Sequence, residues 1–218
     1  MRIISDVSED EVYQAWIKSE VLRTTDNLSS DEIAIIEHPI IGNEQQARTR
    51  KDILWNKLGR SAILNTLPQD VSWKKVALEE PDIEKIYIIP VYDWFLDTGK
   101  TFKLKDVPDN LSAHRGHAIS QLPPISPTHH EKIHAIINNG QIEGELVTIT
   151  SSIETGMQTL IDGTHRGSAL LINRALRGVN AYIGVSPNMV SSRWSVENPI
   201  FHKVKRDLNQ LVEAGSLW

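Results

Sequence analysis

Apolar residues recur at helical spacing through the first seventy positions and at strand-like spacing afterwards. SEDEVYQAWIKSEVL opens with Ser8, carries Glu11 three residues later, and sets Val12, Ala15, Trp16 and Ser19 on one face, which predicts a capped first helix. NEQQARTRKDILWNKLG predicts a second helix, ended by Gly59. No chemical motif falls within residues 1–70, so this stretch reads as a helical N-terminal region appended to the rest of the chain. From Val71 the period shortens. SWKKVAL and KIYIIPVYDWF are rich in β-branched and aromatic residues and are punctuated by Pro81, Gly99 and Pro108, which predicts strands.

DNLSAHRGHAISQLPPISPTHH shows little periodicity and is long for an idle connection, so it reads as a loop lying over something. Thr128 is placed to cap a helix with Glu131 in its first turn, Ile133, Ile136 and Ile137 on one side, and Asn139-Gly140 at its end. GELVTIT is then a strand, Glu154 to Gly156 a turn, MQTLI a strand entering Asp162-Gly163, GSALLINRAL a helix and VNAYIGV a closing strand. The expected fold is α/β (α+β), a small mixed sheet at residues 71–190, preceded by the helical region 1–70 and followed by a helical tail at 191–218.

Composition narrows the chemistry. The chain has 218 residues, 40% of them hydrophobic, enough for one sizeable core. It has no cysteine, which excludes disulfides, thiolate zinc sites and a thiol nucleophile. No apolar run approaches the roughly 20 residues of a membrane helix, and the acidic opening MRIISDVSED is unlike a signal peptide, so a cytoplasmic protein is expected. A formal net charge of −5 argues against a broad, sequence-independent hold on nucleic acid. The local exception is ARTRKDILWNKLGR, where Arg48, Arg50, Lys51, Lys57 and Arg60 share a helix; a solvated face is the favoured reading there.

The segment LIDGTHRGSALL concentrates candidate chemistry. A strand that ends at Gly163 and passes at once into a helix gathers unpaired backbone N–H groups and the positive helix end at one point, where anions bind. Arg166 adds a planar donor fork, His165 a donor or proton shuttle and Thr164 a hydroxyl. Asp162 is suited to hold a metal, accept from a hydroxyl or orient Arg166, while Gly167, Ser168 and Ala169 keep the helix start uncrowded. Taken singly, each has a plain alternative as a turn, a surface ion pair or a packed imidazole; together at one junction they favour a phosphate or nucleotide site. His114, His117, His129, His130, His134 and His165 cluster between 114 and 165. His130 and His134 are one turn apart and could share a metal, although a solvated face is the ordinary reading, and His114, Arg115 and His117 could form a lid.

Asp162, Gly163, His165, Arg166 and Ala169 also fall on the D/G-G-x-H/R-R-x-x-A signature of the ParB/sulfiredoxin superfamily, which residues 132–185 resemble. That resemblance implies a small α/β domain contacting nucleotide phosphates at this junction. Sulfiredoxin chemistry needs a cysteine where Thr164 stands. ParB-type partitioning needs further domains for which about thirty residues leave no room. The free-serine-kinase-like group fits best and implies a phosphotransferase using ATP or ADP with magnesium on a small hydroxyl-bearing substrate. Its catalytic residues would be Asp162, His165 and, from the His130-Glu131 pair, Glu131 as base; Gly163, Thr164, His165, Arg166, Gly167 and Ser168 would hold phosphate. The rival is a nucleotide-switched DNA-binding module or a nuclease, and a homodimer stays open.

Overall fold

Six strands form one mixed sheet: β1 (Arg2–Val7), β2 (Ser72–Ala77), β3 (Ile86–Ile88), β4 (Leu146–Thr150), β5 (Gln158–Asp162) and β6 (Asn180–Val185), in the order β1-β2-β6-β4-β5-β3. The computed structural model describes residues 1–21, 27–109, 127–139, 144–154 and 156–214. β4 runs parallel to β6 and β3 parallel to β5, and the remaining neighbours are antiparallel. Every residue of β4 and β5 is buried, so both faces of the central strands must be covered.

The pleat divides the core accordingly. Val147, Ile149, Ile161, Tyr182 and Trp73 face a layer built from α1 (Glu9–Val21), α2 (Ser30–Glu37), α3 (Glu44–Asp52) and α4 (Ser61–Leu64), whose contributions include Val12, Trp16, Ile36 and Ile63. After the short α5 (Glu80–Ile83), the opposite face is covered by α6 (Tyr92–Asp97), α7 (Pro127–Asn139), α8 (Thr164–Ile172) and α9 (Pro199–Glu213). There Leu146, Leu160, Ala181 and Ile183 meet Trp94, Phe95, Ile133, Leu170 and Phe201. Residues 1–70, expected to be an appendage, therefore supply one edge strand and one full layer of the molecule.

The helix predicted from Ser8 is α1, with Glu11 N–H donating to Ser8 Oγ at 3.2 Å. The second predicted helix begins at Asn43, whose side chain caps α3, and passes through a π turn at Ile53–Lys57 before Gly59 turns the chain at φ 67°. Two local expectations are corrected. Arg2–Val7, expected within the helical region, pairs with β2. YDWF, expected as strand, lies in α6, because a helix turn puts Trp94, Phe95 and Asp97 into the core together, and that packing outweighs aromatic strand propensity. α7 starts at Pro127, a residue favoured at the first helical position, so Thr128 lies within the first turn instead of before it. The loop at 110–126, including His114, Arg115 and His117, lies outside the described residues, as do Gly140 and Thr155.

The N-terminal layer has two further features. β1 carries an irregularity between Ile3 and Ser5, so Arg2 aligns with Ala77 but Asp6 with Lys74. Arg50 is fully buried and clasps Asp10 through Nε–Oδ1 and Nη2–Oδ2 contacts of 2.6 Å each. Burial pushes the Asp10 carboxyl up, but the Arg50 guanidinium and the Gly42 N–H outweigh it and hold the group below the usual carboxylate range. No described helix is long and apolar enough to cross a membrane.

Candidate functional site

β5 hands over to α8 through a single residue. Gly163 adopts φ 88° and ψ 20°, a left-handed conformation that favours glycine. A Cβ built there would come within 2.7 Å of Leu146 Cδ2 and 2.9 Å of Arg166 Nη2, so the position is closed to side chains on two grounds. Gly163 brings no side chain to cap α8, and the first helical hydrogen bond runs from Gly167 N–H to Gly163 O at 2.8 Å.

This helix start opens onto a cavity of about 420 Å³. Gly163, Thr164 and His165 form one wall, Asp162 and Glu20 supply carboxyl groups, and Arg60 and Lys132 supply cations. Ile63, Ile89, Trp94 and Ile161 give the remaining wall an apolar character. All three layers meet here, since Glu20 comes from α1, Arg60 from just before α4, Asp162 from the sheet and Lys132 from α7.

The polar groups form a linked set. Arg166 Nη2 donates to Asp162 Oδ2 at 2.6 Å and to the Glu145 carbonyl at 3.0 Å. Ser19 Oγ lies 3.2 Å from the same Asp162 oxygen and 2.7 Å from the Trp16 carbonyl. Glu20 Oε1 accepts from Arg60 Nη2 at 2.7 Å. The Glu20 carboxyl is pushed above its ordinary value, first by burial, then by the negative charge of Asp162 and a hydrogen bond to it, with Arg60 acting in opposition. Two carboxyl groups therefore share a partly dry site in which one of them is held above its ordinary value.

The junction residues expected to hold phosphate divide into two groups. Gly163, Thr164 and His165 line the cavity. Arg166, Gly167 and Ser168 are not among the residues that line it. Arg166 is buried on Asp162, Gly167 packs where a Cβ would meet Leu104 at 3.2 Å, and Ser168 Oγ donates to the Thr164 carbonyl at 2.8 Å. The direct arginine fork expected for phosphate is thus engaged within the protein, and Asp162 serves as its partner. Glu131 is exposed on α7 and stands outside the cavity, whereas its neighbour Lys132, about 100° further around the helix, lines it.

Sequence reasoning missed Glu20, Arg60, Lys132 and Trp94. Glu20 and Asp162 are too distant in sequence for any spacing rule to join them. One signal was present: Ser19 is the polar member of the apolar face Val12, Ala15, Trp16 and Ser19, and it is the residue that reaches Asp162.

Much of the basic helix is occupied internally. Arg50 is tied to Asp10, Lys57 Nζ lies 2.6 Å from Glu32, Arg60 is held by Glu20, and Lys51 lies over the Trp55 ring at 5.7 Å. Arg48 remains largely exposed beside Glu44. Among the described residues, no group of three or more histidine, aspartate or glutamate side chains is placed to hold a metal ion. His130 approaches Asp97, with His130 Nε2 at 4.0 Å from Asp97 Oδ1. No protein-family model, no curated protein and no solved structure matches the chain.

Proposed function

We propose that the cavity binds the phosphates of a nucleotide, ATP or ADP, and that the protein is a phosphotransferase acting on a small hydroxyl-bearing substrate such as a free amino acid. The observation that carries this reading is the α8 N-terminus without a side-chain cap, opening onto a cavity that also holds the Glu20 and Asp162 carboxyls. The resemblance of LIDGTHRGSALL to the free-serine-kinase-like group of the ParB/sulfiredoxin superfamily supports it. Phosphoryl transfer depends chiefly on positioning and charge neutralisation, and the amides beyond Gly163, the Thr164 hydroxyl, His165 and Lys132 are the groups offered for both.

In this reading Glu20 takes the role of general base in place of Glu131, since it faces the cavity and burial makes it a stronger base than an exposed carboxylate. Asp162 binds the substrate hydroxyl or magnesium, and Arg166 positions Asp162. Magnesium commonly uses one or two carboxylates together with substrate phosphates and water, which suits a site with two carboxyls. A nucleotide-switched DNA-binding module is less well supported, because Arg50, Lys57 and Arg60 are already paired with carboxylates.

The test combines calorimetry with ATP and ADP in magnesium and incubation of labelled nucleotide with a panel of hydroxyl-bearing amino acids. Micromolar to millimolar nucleotide binding and one labelled product are expected. Absence of both removes the proposal.

A further inference from the structure

Behind the cavity, three helices meet around a buried carboxylate that the proposed chemistry does not use. Asp97, the last residue of α6, is 1% exposed. Its Oδ2 lies 3.0 Å from His129 Nδ1 on α7, and its Oδ1 is 4.0 Å from His130 Nε2. Trp94, one turn earlier on α6, stacks on the His129 ring at 4.1 Å between centroids and 19° between planes. His129 in turn meets His165 of α8 edge-on at 5.0 Å, and Trp94 meets His165 at 5.2 Å.

The cost of burying a carboxylate is the reason this arrangement calls for a role. A carboxylate withdrawn from water needs a donor, and here the donor is an imidazole fixed on its other side by an indole. Trp94 and Asp97 are three residues apart on α6 and therefore grip one ring from one helix face. His129 and Lys132 are likewise three apart on α7, so fixing His129 also fixes the rotation of α7 that presents Lys132 to the cavity. The same ring meets His165, which lines that cavity.

We propose that Asp97 is a positioning residue: through His129 it sets the orientation of the His165 imidazole and of the Lys132-bearing face of α7. The consequence for anions rests on the phosphate reading of the cavity, while the alignment of the rings does not.

The test uses the full chain with Asp97→Asn, His129→Gln and, as a control on the same helix, His134→Gln. Imidazole resonances are recorded by NMR, and inorganic phosphate is titrated calorimetrically. Asp97→Asn and His129→Gln are expected to move the His165 ring resonances and to weaken phosphate binding about tenfold, whereas His134→Gln leaves both in place. A folded Asp97→Asn protein with wild-type His165 resonances overturns the proposal. If Asp97→Asn does not fold, His129→Gln decides in the same way, because the His129 side chain is 13% exposed and tolerates replacement better. If the wild type does not bind phosphate, the anion reading falls, while the His165 resonances still decide the positioning role.

Discussion

α1 carries a buried or half-buried acid near each end, and the two are treated in opposite ways. Near its start, Asp10 receives both arms of a fully buried arginine, its charge is matched one to one, and its carboxyl lies below the usual range. Near its end, Glu20 shares Arg60 with a cavity, lies beside a second carboxyl and is pushed above the usual range. A matched pair of this kind ties α1 to α3 within one layer. A largely buried acid beside a second carboxyl at a cavity wall is costly to the fold, and such groups concentrate at functional sites. The same helix therefore anchors the N-terminal layer at one end and brings a carboxyl held above its ordinary value to the cavity at the other.

The largest test of that contrast is Arg50→Ala. Removing one partner leaves Asp10 uncompensated, and a loss of about 3–5 kcal/mol in denaturant unfolding is expected, with nucleotide affinity of the folded fraction unchanged. The Asp10 contribution is present above the ordinary carboxylate value of 3.8 and is lost as pH falls, so the gap between wild type and variant narrows in acid.

Glu20→Gln should behave in the opposite sense. A folded carboxyl raised above its unfolded value binds more protons than the unfolded chain, so wild-type stability declines as pH climbs past 4.5 and through the folded value; the glutamine variant escapes that decline and melts higher at neutral pH. Its phosphoryl transfer should fall roughly 100-fold, about 2.7 kcal/mol in barrier, with nucleotide binding retained. A glutamine variant that melts lower than wild type at neutral pH would show that Glu20 is a structural acid like Asp10.

Gly163→Ala is smaller in stability, about 1–3 kcal/mol from the left-handed backbone, but it also pushes on Leu146 and Arg166 and should abolish nucleotide binding. Glu131→Ala should do least. An exposed carboxylate past the first turn of α7 changes stability by about 0.5 kcal/mol or less, and turnover should stay within about twofold of wild type. A marked loss of turnover would return the base to α7.

The β-branched runs at Ser72–Ala77, Leu146–Thr150, Gln158–Asp162 and Asn180–Val185 were legible because alternation and turn residues act locally. The junction at Gly163 was legible for the same reason, since a left-handed turn between strand and helix demands one residue type. The cavity around it was not. Glu20 and Arg60 reach it from the N-terminal layer and Lys132 from the opposite one, and only the packing of both layers on one sheet brings them to the same cavity. Arg166 shows the limit from the other side: its residue type suits phosphate, yet its position four residues after Asp162 turns it inward. α6 departs from its strand-like sequence because aromatic residues favour strands only on average, and the need to bury Trp94, Phe95 and Asp97 together overrides that preference.

In a crowded solution, the irregularity in β1 shapes how two molecules can meet. Because Ile3 and Ser5 straddle an extra residue, Arg2 and Asp6 end on opposite sides of the outermost strand. A neighbouring molecule laying its own copy alongside would meet no continuous row of matching charges and no flat ribbon to extend. The exposed isoleucines Ile3 and Ile4 thus sit on a border that discourages edge-to-edge growth into fibres.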